Sequence, residues 1–341
     1  MRTAEFEYFL PEQLIAQQAR PRGTSRLLVL YRGTVGLTLA RISALPGLLA
    51  LGDLLLLNDV RVIPARLRAH RPGGGETELL LVRPLDGSTW EVMARPAKRL
   101  RPGAALALAR GSAVPRERLV EGTWRVEFDP PLDETALAAV GEVPLPPYIR
   151  RDHGPSEDDR LRYQTIYARA GRAVAAPTAG LHFTPELLEA AGERGVEIAR
   201  LILHVGPGTF RPVQAEDPLE HELEAEDYEI PPETAFALNR ALRFGRRVVC
   251  VGTTTCRALE HSLQVGCGRV SPGVRSADLF ILPGFRFRGT SALLTNFHLP
   301  RSTLLMLVAA IAGREPVLSA YELAVREAFS FYSFGDAMLV L

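Results

Sequence analysis

Lysine is almost missing from this chain. Lys98 is the only one, so all the other members of its 40 basic residues are arginine. A skew that complete reflects genome composition rather than a site, although each guanidinium is able to grip a phosphate through two hydrogen bonds. Net charge is nearly missing too. At +1 it rules out the whole-molecule field of a histone-like binder and leaves only local basic patches to consider. Cysteine is scarce: Cys250, Cys256 and Cys267 are odd in number and include no C-x-x-C pair. That excludes a disulfide framework and a cysteine zinc site, and it fits a reducing cytoplasm. The start "MRTAEFEYFL" lacks the basic-then-apolar pattern of a signal peptide. No apolar run approaches the roughly 20 residues of a membrane span, so no membrane partner is expected. Internal repeats and low-complexity tracts are absent as well.

What is present is an ordinary globular composition, 47% hydrophobic and 23% charged, over 341 residues. That length suggests one large domain plus a second. "PEQLIAQQA" has helical spacing, while "SRLLVLYR" and "GDLLLLND" read as short buried strands. From about residue 66 the chain turns to short strand-like runs such as "ETELLLVRPL", "STWEVMARP" and "TWRVEFDPP", parted by Gly, Pro, Asp and Ser. Such runs without a long helix predict a small all-β barrel or sandwich over 66–147. A Pro-rich connection follows. Strand and helix then alternate to the end, which predicts an α/β domain of 1–65 plus 148–341, with a mostly parallel sheet and flanking helices.

In an open parallel sheet, ligands bind beyond the carboxyl ends of the strands. Four turns at such ends concentrate unusual residues. "AAPTAGLHFTPELL" holds Thr178, Gly180 and His182 before a helix whose cap and first position suit Thr184 and Pro185. "LHVGPGTF" holds His204, Gly206 and Gly208. "VGTTTCRALE" starts a helix at Thr253, Thr254 and Thr255, with Arg257 behind, and a helix start attracts anions. "TNFHLPRSTLL" crowds Asn296, His298, Arg301 and Ser302 before an apolar helix. "LLLLNDVRVIP" adds Asn58, Asp59 and Arg61. A single histidine at a strand end is more often structural than catalytic; three at separate ends favour a site there. Their spacing offers no H-E-x-x-H, so no metal is expected. No G-x-S-x-G elbow and no G-x-G-x-x-G fingerprint exist either.

These blocks, with "PLPPYI", "YQTIYA" and "FGDAM", resemble those of one family in its own order: the queuosine-pathway S-adenosylmethionine:tRNA ribosyltransferase-isomerases. The likeness spans nearly the whole chain apart from much of the β insertion. It implies transfer and isomerisation of the ribosyl group of S-adenosylmethionine onto 7-aminomethyl-7-deazaguanine at the tRNA wobble position. Epoxyqueuosine forms; adenine and methionine leave. It also implies an α/β domain with an inserted β-barrel and a consumed co-substrate in place of a bound cofactor.

Proton transfer in that reaction calls for a base near neutral pKa, for which histidine suits. His182 and His298 are the candidates, with Asp59 third. Asn58, Arg61, Thr178, Gly180, His204, Gly206, Gly208, Thr253, Thr254, Arg257, Asn296 and Ser302 are candidates to bind the substrate. Arg99, Arg101 and Arg150 are candidates to touch tRNA phosphates. A monomer is expected. Glu224 and Glu142 stand where the family usually has histidine, which puts a role for the region around Glu224 in doubt. A metal-dependent nucleoside hydrolase and a non-catalytic RNA-binding module are the competing readings. Chelator sensitivity marks the first, and intact S-adenosylmethionine the second.

Overall fold

Leu54, Leu55, Leu56 and Leu57 have no solvent exposure, so the strand that carries them must be covered on both faces. The computed structural model, which describes residues 1–34, 36–119, 122–206, 213–221 and 223–341, shows how. The chain runs β1 (Arg26–Leu30), β2 (Leu37–Arg41), α1 (Leu45–Leu48), β3 (Leu54–Asn58) and β4 (Val60–Val62). Then come β5 (Arg66–His70), β6 (Glu76–Pro84), β7 (Thr89–Arg95), β8 (Leu106–Ala107), β9 (Ser112–Arg118) and β10 (Trp124–Asp129). After α2 (Glu134–Val140) and α3 (Glu157–Arg162) follow β11 (Ala170–Ala173), α4 (Pro185–Glu193), β12 (Glu197–Leu203) and β13 (Glu226–Ile230). The last part is α5 (Pro232–Arg243), β14 (Val248–Val251), α6 (Thr253–Val265), β15 (Gly273–Ala277), β16 (Thr290–Asn296), α7 (Thr303–Ala312), α8 (Arg314–Arg326) and β17 (Ala337–Val340).

Among the described residues, nine strands form one sheet in the order β15-β13-β12-β3-β14-β16-β17-β1-β2. Its centre, β12-β3-β14-β16, is parallel, and so is β17-β1; the remaining neighbours pair antiparallel. The two-residue side-chain period divides the leucines between two cores. Leu54, Leu56, Cys250 and Leu293 pack under α5, α6, α7 and α8. Leu55, Leu57, Val249 and Leu294 pack under α4 and α1. The expected α/β class with flanking helices is therefore what the chain forms.

β5 to β10 close into a six-stranded antiparallel barrel between the two parts of the sheet domain, with a core of its own around Trp90, Trp124 and Phe128. "PEQLIAQQA" departs from its helical spacing. Only Glu12–Leu14 form a single 3-10 turn, because Ile15 and Ala16 pair their backbone with Phe331 instead of continuing a helix. The Pro-rich connection contains α3, started by a capping box between Ser156 and Asp159. No single helix among the described residues is long and apolar enough to cross a membrane.

One buried carboxylate fixes where β16 begins. Glu260, on α6 and without exposure, accepts the backbone N–H groups of Arg288 (2.8 Å), Gly289 (3.0 Å) and Thr290 (2.7 Å). Glu260→Gln turns an amide N–H₂ toward these donors. The expected loss is about 2–3 kcal/mol in denaturant unfolding. A loss below about half a kcal/mol would show that the carboxylate is replaceable.

Candidate functional site

β14 and β16 lie side by side, Val251 opposite Leu294, so the residues after them emerge at one edge. A cleft of about 640 Å³ opens there. Thr178 and Ala179 form one wall, and Gly252, Thr253 and Thr254 the floor. Asn296, His298, Leu299 and Ser302 form the opposite wall, and Tyr148, Tyr332 and Ser333 close one end. Among the described residues, every side chain that lines it is uncharged apart from what His298 titrates.

Gly252 sits at φ 93°, a conformation that favours glycine, and has no side chain with which to cap α6. Thr255 donates to the carbonyls of Val251 (3.1 Å) and Gly252 (2.9 Å) and is structural. Thr254 Oγ1 is buried without a hydrogen-bond partner among the described residues. The free N–H groups of α6 and this hydroxyl thus face the same space, a combination suited to a carboxylate. Ser302 caps α7 by accepting from Leu305 N–H at 3.2 Å, which accounts for its hydroxyl locally although it lines the cleft.

His298 is buried, and its Nε2 lies 2.8 Å from Thr295 Oγ1. Burial pulls its pKa from 6.5 down to about 3. The carbonyl of His298 accepts from the Tyr8 hydroxyl and its N–H donates to the Tyr321 oxygen at 3.1 Å, so the loop is held from two sides. Asn296, whose side chain also interacts with His182, donates to the Tyr332 carbonyl at 2.8 Å. That bond helps to hold Tyr332 at φ 71°, left-handed for a bulky residue. Tyr332 stacks on Tyr148 with ring centres 4.4 Å apart, and the Tyr148 hydroxyl meets Ser333 Oγ at 2.6 Å.

The other candidates lie elsewhere. His182 lines a neighbouring recess with Arg20, Arg22 and Arg162, and Ser333 is common to both spaces. Its Nδ1 meets Ser25 Oγ at 2.8 Å, and on its other side the ring interacts with the Asn296 side chain that lines the cleft. Burial lowers its pKa to about 4, against a smaller raising effect of the Asp336 charge. His204, Gly206 and Arg257 line a second recess across Val205. There His204 Nδ1 is 3.1 Å from the Arg172 carbonyl, and Arg257 is locked to Glu226, which accepts Gly206 N–H at 3.0 Å. Glu224 lines that recess too. Gly208 lies outside the described residues.

Asn58 is wholly buried and lines none of these spaces. It accepts from Leu203 N–H at 3.0 Å and donates to its carbonyl at 3.1 Å, so it extends sheet pairing. Asp59 is ion-paired to Arg169 at 2.8 Å, and Arg61 to Glu134. Gly180 permits close packing instead: a Cβ there would stand 2.2 Å from Tyr167 Oη. Arg99 and Arg101 are exposed on the barrel, and Arg150 is exposed and paired with Glu12. Glu142 pairs with Arg68 at 2.8 Å. Tyr332, Ser333 and Thr295 escaped the sequence reading. Nothing in "SFYSFGDAM" marks a tyrosine that turns left-handed.

The sequence profile described as "Queuosine biosynthesis protein" matches residues 3–340. The chain belongs to this family. An S-adenosylmethionine:tRNA ribosyltransferase-isomerase of Geotalea uraniireducens is 50% identical over the full length of both chains. One from Thermus thermophilus is 50% identical over 98% of each. A crystal structure of S-adenosylmethionine tRNA ribosyltransferase from Thermotoga maritima covers 99% of this chain at 37% identity, with a TM-score of 0.55. Family resemblance and cleft agree: the blocks "APTAGLHF", "VGTTTC" and "TNFHLPRS" each send residues into it.

Both buried rings are neutral in the folded protein, while in the unfolded chain they titrate near 6.5. Between about pH 6.5 and the folded values the unfolded state binds more protons, so stability falls as pH drops through that window. The effect is on the order of a few kcal/mol per ring. His298→Asn should make the pH dependence of the urea midpoint shallower by about one proton between pH 4 and 6. An unchanged slope would mean that His298 is not held neutral by burial.

Proposed function

We propose that this chain is an S-adenosylmethionine:tRNA ribosyltransferase-isomerase. It acts on 7-aminomethyl-7-deazaguanine in the anticodon and releases adenine and methionine as epoxyqueuosine forms. The observation that carries the reading is the convergence of three family blocks on one uncharged cleft. A single chain supplies the cleft walls described above, which favours a monomer, and the tRNA substrate favours the cytoplasm.

The sulfonium makes neighbouring C–H bonds acidic, and the incoming amine must shed a proton. In this reading His298 is the proton acceptor, because it lines the cleft and its ring is aligned by Thr295. His182, behind Ser333, positions the adjoining wall and is the second candidate. Asp59 ranks below both, since Arg169 occupies it. The methionine carboxylate sits at the start of α6, on Thr254 Oγ1 and free N–H groups. Thr178, Thr253 and Asn296 offer donors and acceptors to the ribose and the departing adenine. Arg257, Gly206 and His204 support this wall through Glu226 and Val205. Arg150, two residues beyond Tyr148, is the favoured phosphate contact, with Arg99 and Arg101 on the barrel as a further patch.

The deciding assay follows adenine release and tRNA nucleosides by mass spectrometry, with and without chelator. Adenine matched by epoxyqueuosine, indifferent to chelator, is expected. Product lost with chelator would favour a metal-dependent hydrolase, and intact S-adenosylmethionine a mere RNA binder. His298→Asn should lower kcat at least about 100-fold with little change in S-adenosylmethionine binding. Thr254→Val removes an unpaired buried hydroxyl. It should therefore raise KM for S-adenosylmethionine about tenfold while thermal stability holds or rises. A normal KM would move the carboxylate elsewhere.

A further inference from the structure

The segment before the sheet carries an aromatic ring with no structural employment. Tyr8 turns inward: its hydroxyl donates to the His298 carbonyl, and its ring meets Tyr321 edge-on at 5.1 Å. Its neighbour Phe9 is 81% exposed. The clamp on Tyr8 therefore presents Phe9 to solvent from a fixed backbone, beside the loop that bears His298. A groove of about 900 Å³ runs beneath it, lined by Glu7, Leu10, Ile15 and Pro300. Leu299 and Tyr332 line both this groove and the cleft, so the two adjoin across those side chains.

Arg301 follows the groove residue Pro300. It adopts φ 57°, a left-handed backbone that a side chain resists, and holds it by donating its N–H to the Phe6 carbonyl at 3.0 Å. Its side chain is 42% exposed and, among the described residues, ion-paired only distantly, with Glu7 at 3.9 Å. An exposed, fixed aromatic face and a nearby guanidinium are what a single-stranded nucleotide needs: a surface for its base and a charge for its phosphate.

We infer that Phe9 stacks a base next to the one being modified, and that Arg301 meets the phosphate between them. This rests on the tRNA reading above. A base that enters the cleft leaves its neighbour unstacked, and the neighbour emerges across Leu299 and Tyr332 onto the groove. Continuity with the cleft favours RNA over a second copy of the chain as the occupant.

The test uses the full chain and an anticodon stem-loop bearing 7-aminomethyl-7-deazaguanine. Affinity is measured across a salt series, and KM for S-adenosylmethionine alongside. Phe9→Ala should weaken RNA binding at least about fivefold, with unchanged salt slope and unchanged KM for S-adenosylmethionine. Phe9→Trp should restore it. Leu51→Ala, at a residue 85% exposed elsewhere, should do nothing. Arg301→Asn, which tolerates the left-handed backbone, should reduce the salt slope by about 0.7. An abasic site at one flanking position should weaken the parent protein and cost Phe9→Ala nothing more. Normal binding by Phe9→Ala, or losses that add with both abasic sites, would overturn the inference. So would a dimer in sedimentation that Phe9→Ala dissolves. A parent protein that releases no adenine overturns this and the proposed function together; an active parent with normal Phe9→Ala overturns this alone.

Discussion

The parallel pairing of β14 with β16 is the constraint on which the site depends. Because Val251 lies opposite Leu294, Gly252 and Asn296 reach the sheet edge together. Helices α6 and α7 must both start there, with their free N–H groups turned toward the same space. β17 then pairs antiparallel with β16, Ala337 opposite Asn296, so the residues before β17 come to that edge as well. Tyr332 and Ser333 enter the cleft for this reason, although they precede a strand instead of following one. The third parallel neighbour, β3, ends at Asn58, whose side chain is spent on Leu203.

This explains what could be read in the sequence and what could not. Unbroken apolar runs such as "LLLL" and "VVCV" have no stable home outside a covered parallel sheet, so the class and the strand ends were legible. The barrel was legible through its turn residues. Strand β13, "EDYEI", was not, since a strand with Asp227 and Glu229 exposed on one face offers no apolar run. Within the site, position along a strand was legible and position across the sheet was not. His204 and His298 look alike as histidines near strand ends, yet Val205 stands between their spaces. Competition for side chains was hidden too: Arg257 looked available until Glu226 was seen to hold it.

The arginine excess resolves in the same way. Arg247 pairs with the buried Asp53 through two nitrogens, Arg151 does the same with Asp159, and Arg257 is enclosed with Glu226. Planar guanidinium suits such two-point contacts, and a lysine could supply only one. Many of the cations are thereby neutralised within the fold. The residual charge of +1 already implied as much, because arginines that served nucleic acid alone would have left an unbalanced field.

Uncharged cleft walls have a consequence for the chemistry proposed here. A sulfonium beside a carboxylate would be stabilised as an ion pair, and the acidity it lends to adjacent C–H bonds would shrink. Here the carboxylates nearest the cleft in the second recess, Glu226 among them, are lined up across Val205 and engaged with other groups. In the binding mode proposed above, the substrate's own carboxylate is drawn to the α6 start and away from the sulfur. The sulfonium then meets hydroxyl, amide and neutral imidazole dipoles, which orient it without cancelling its charge. The burial that keeps His298 neutral spares the sulfonium a cationic neighbour before proton transfer, while it also makes the ring a weaker base. An imidazolium would repel the sulfonium, whereas a neutral ring accepts the proton whose departure relieves the positive charge on sulfur.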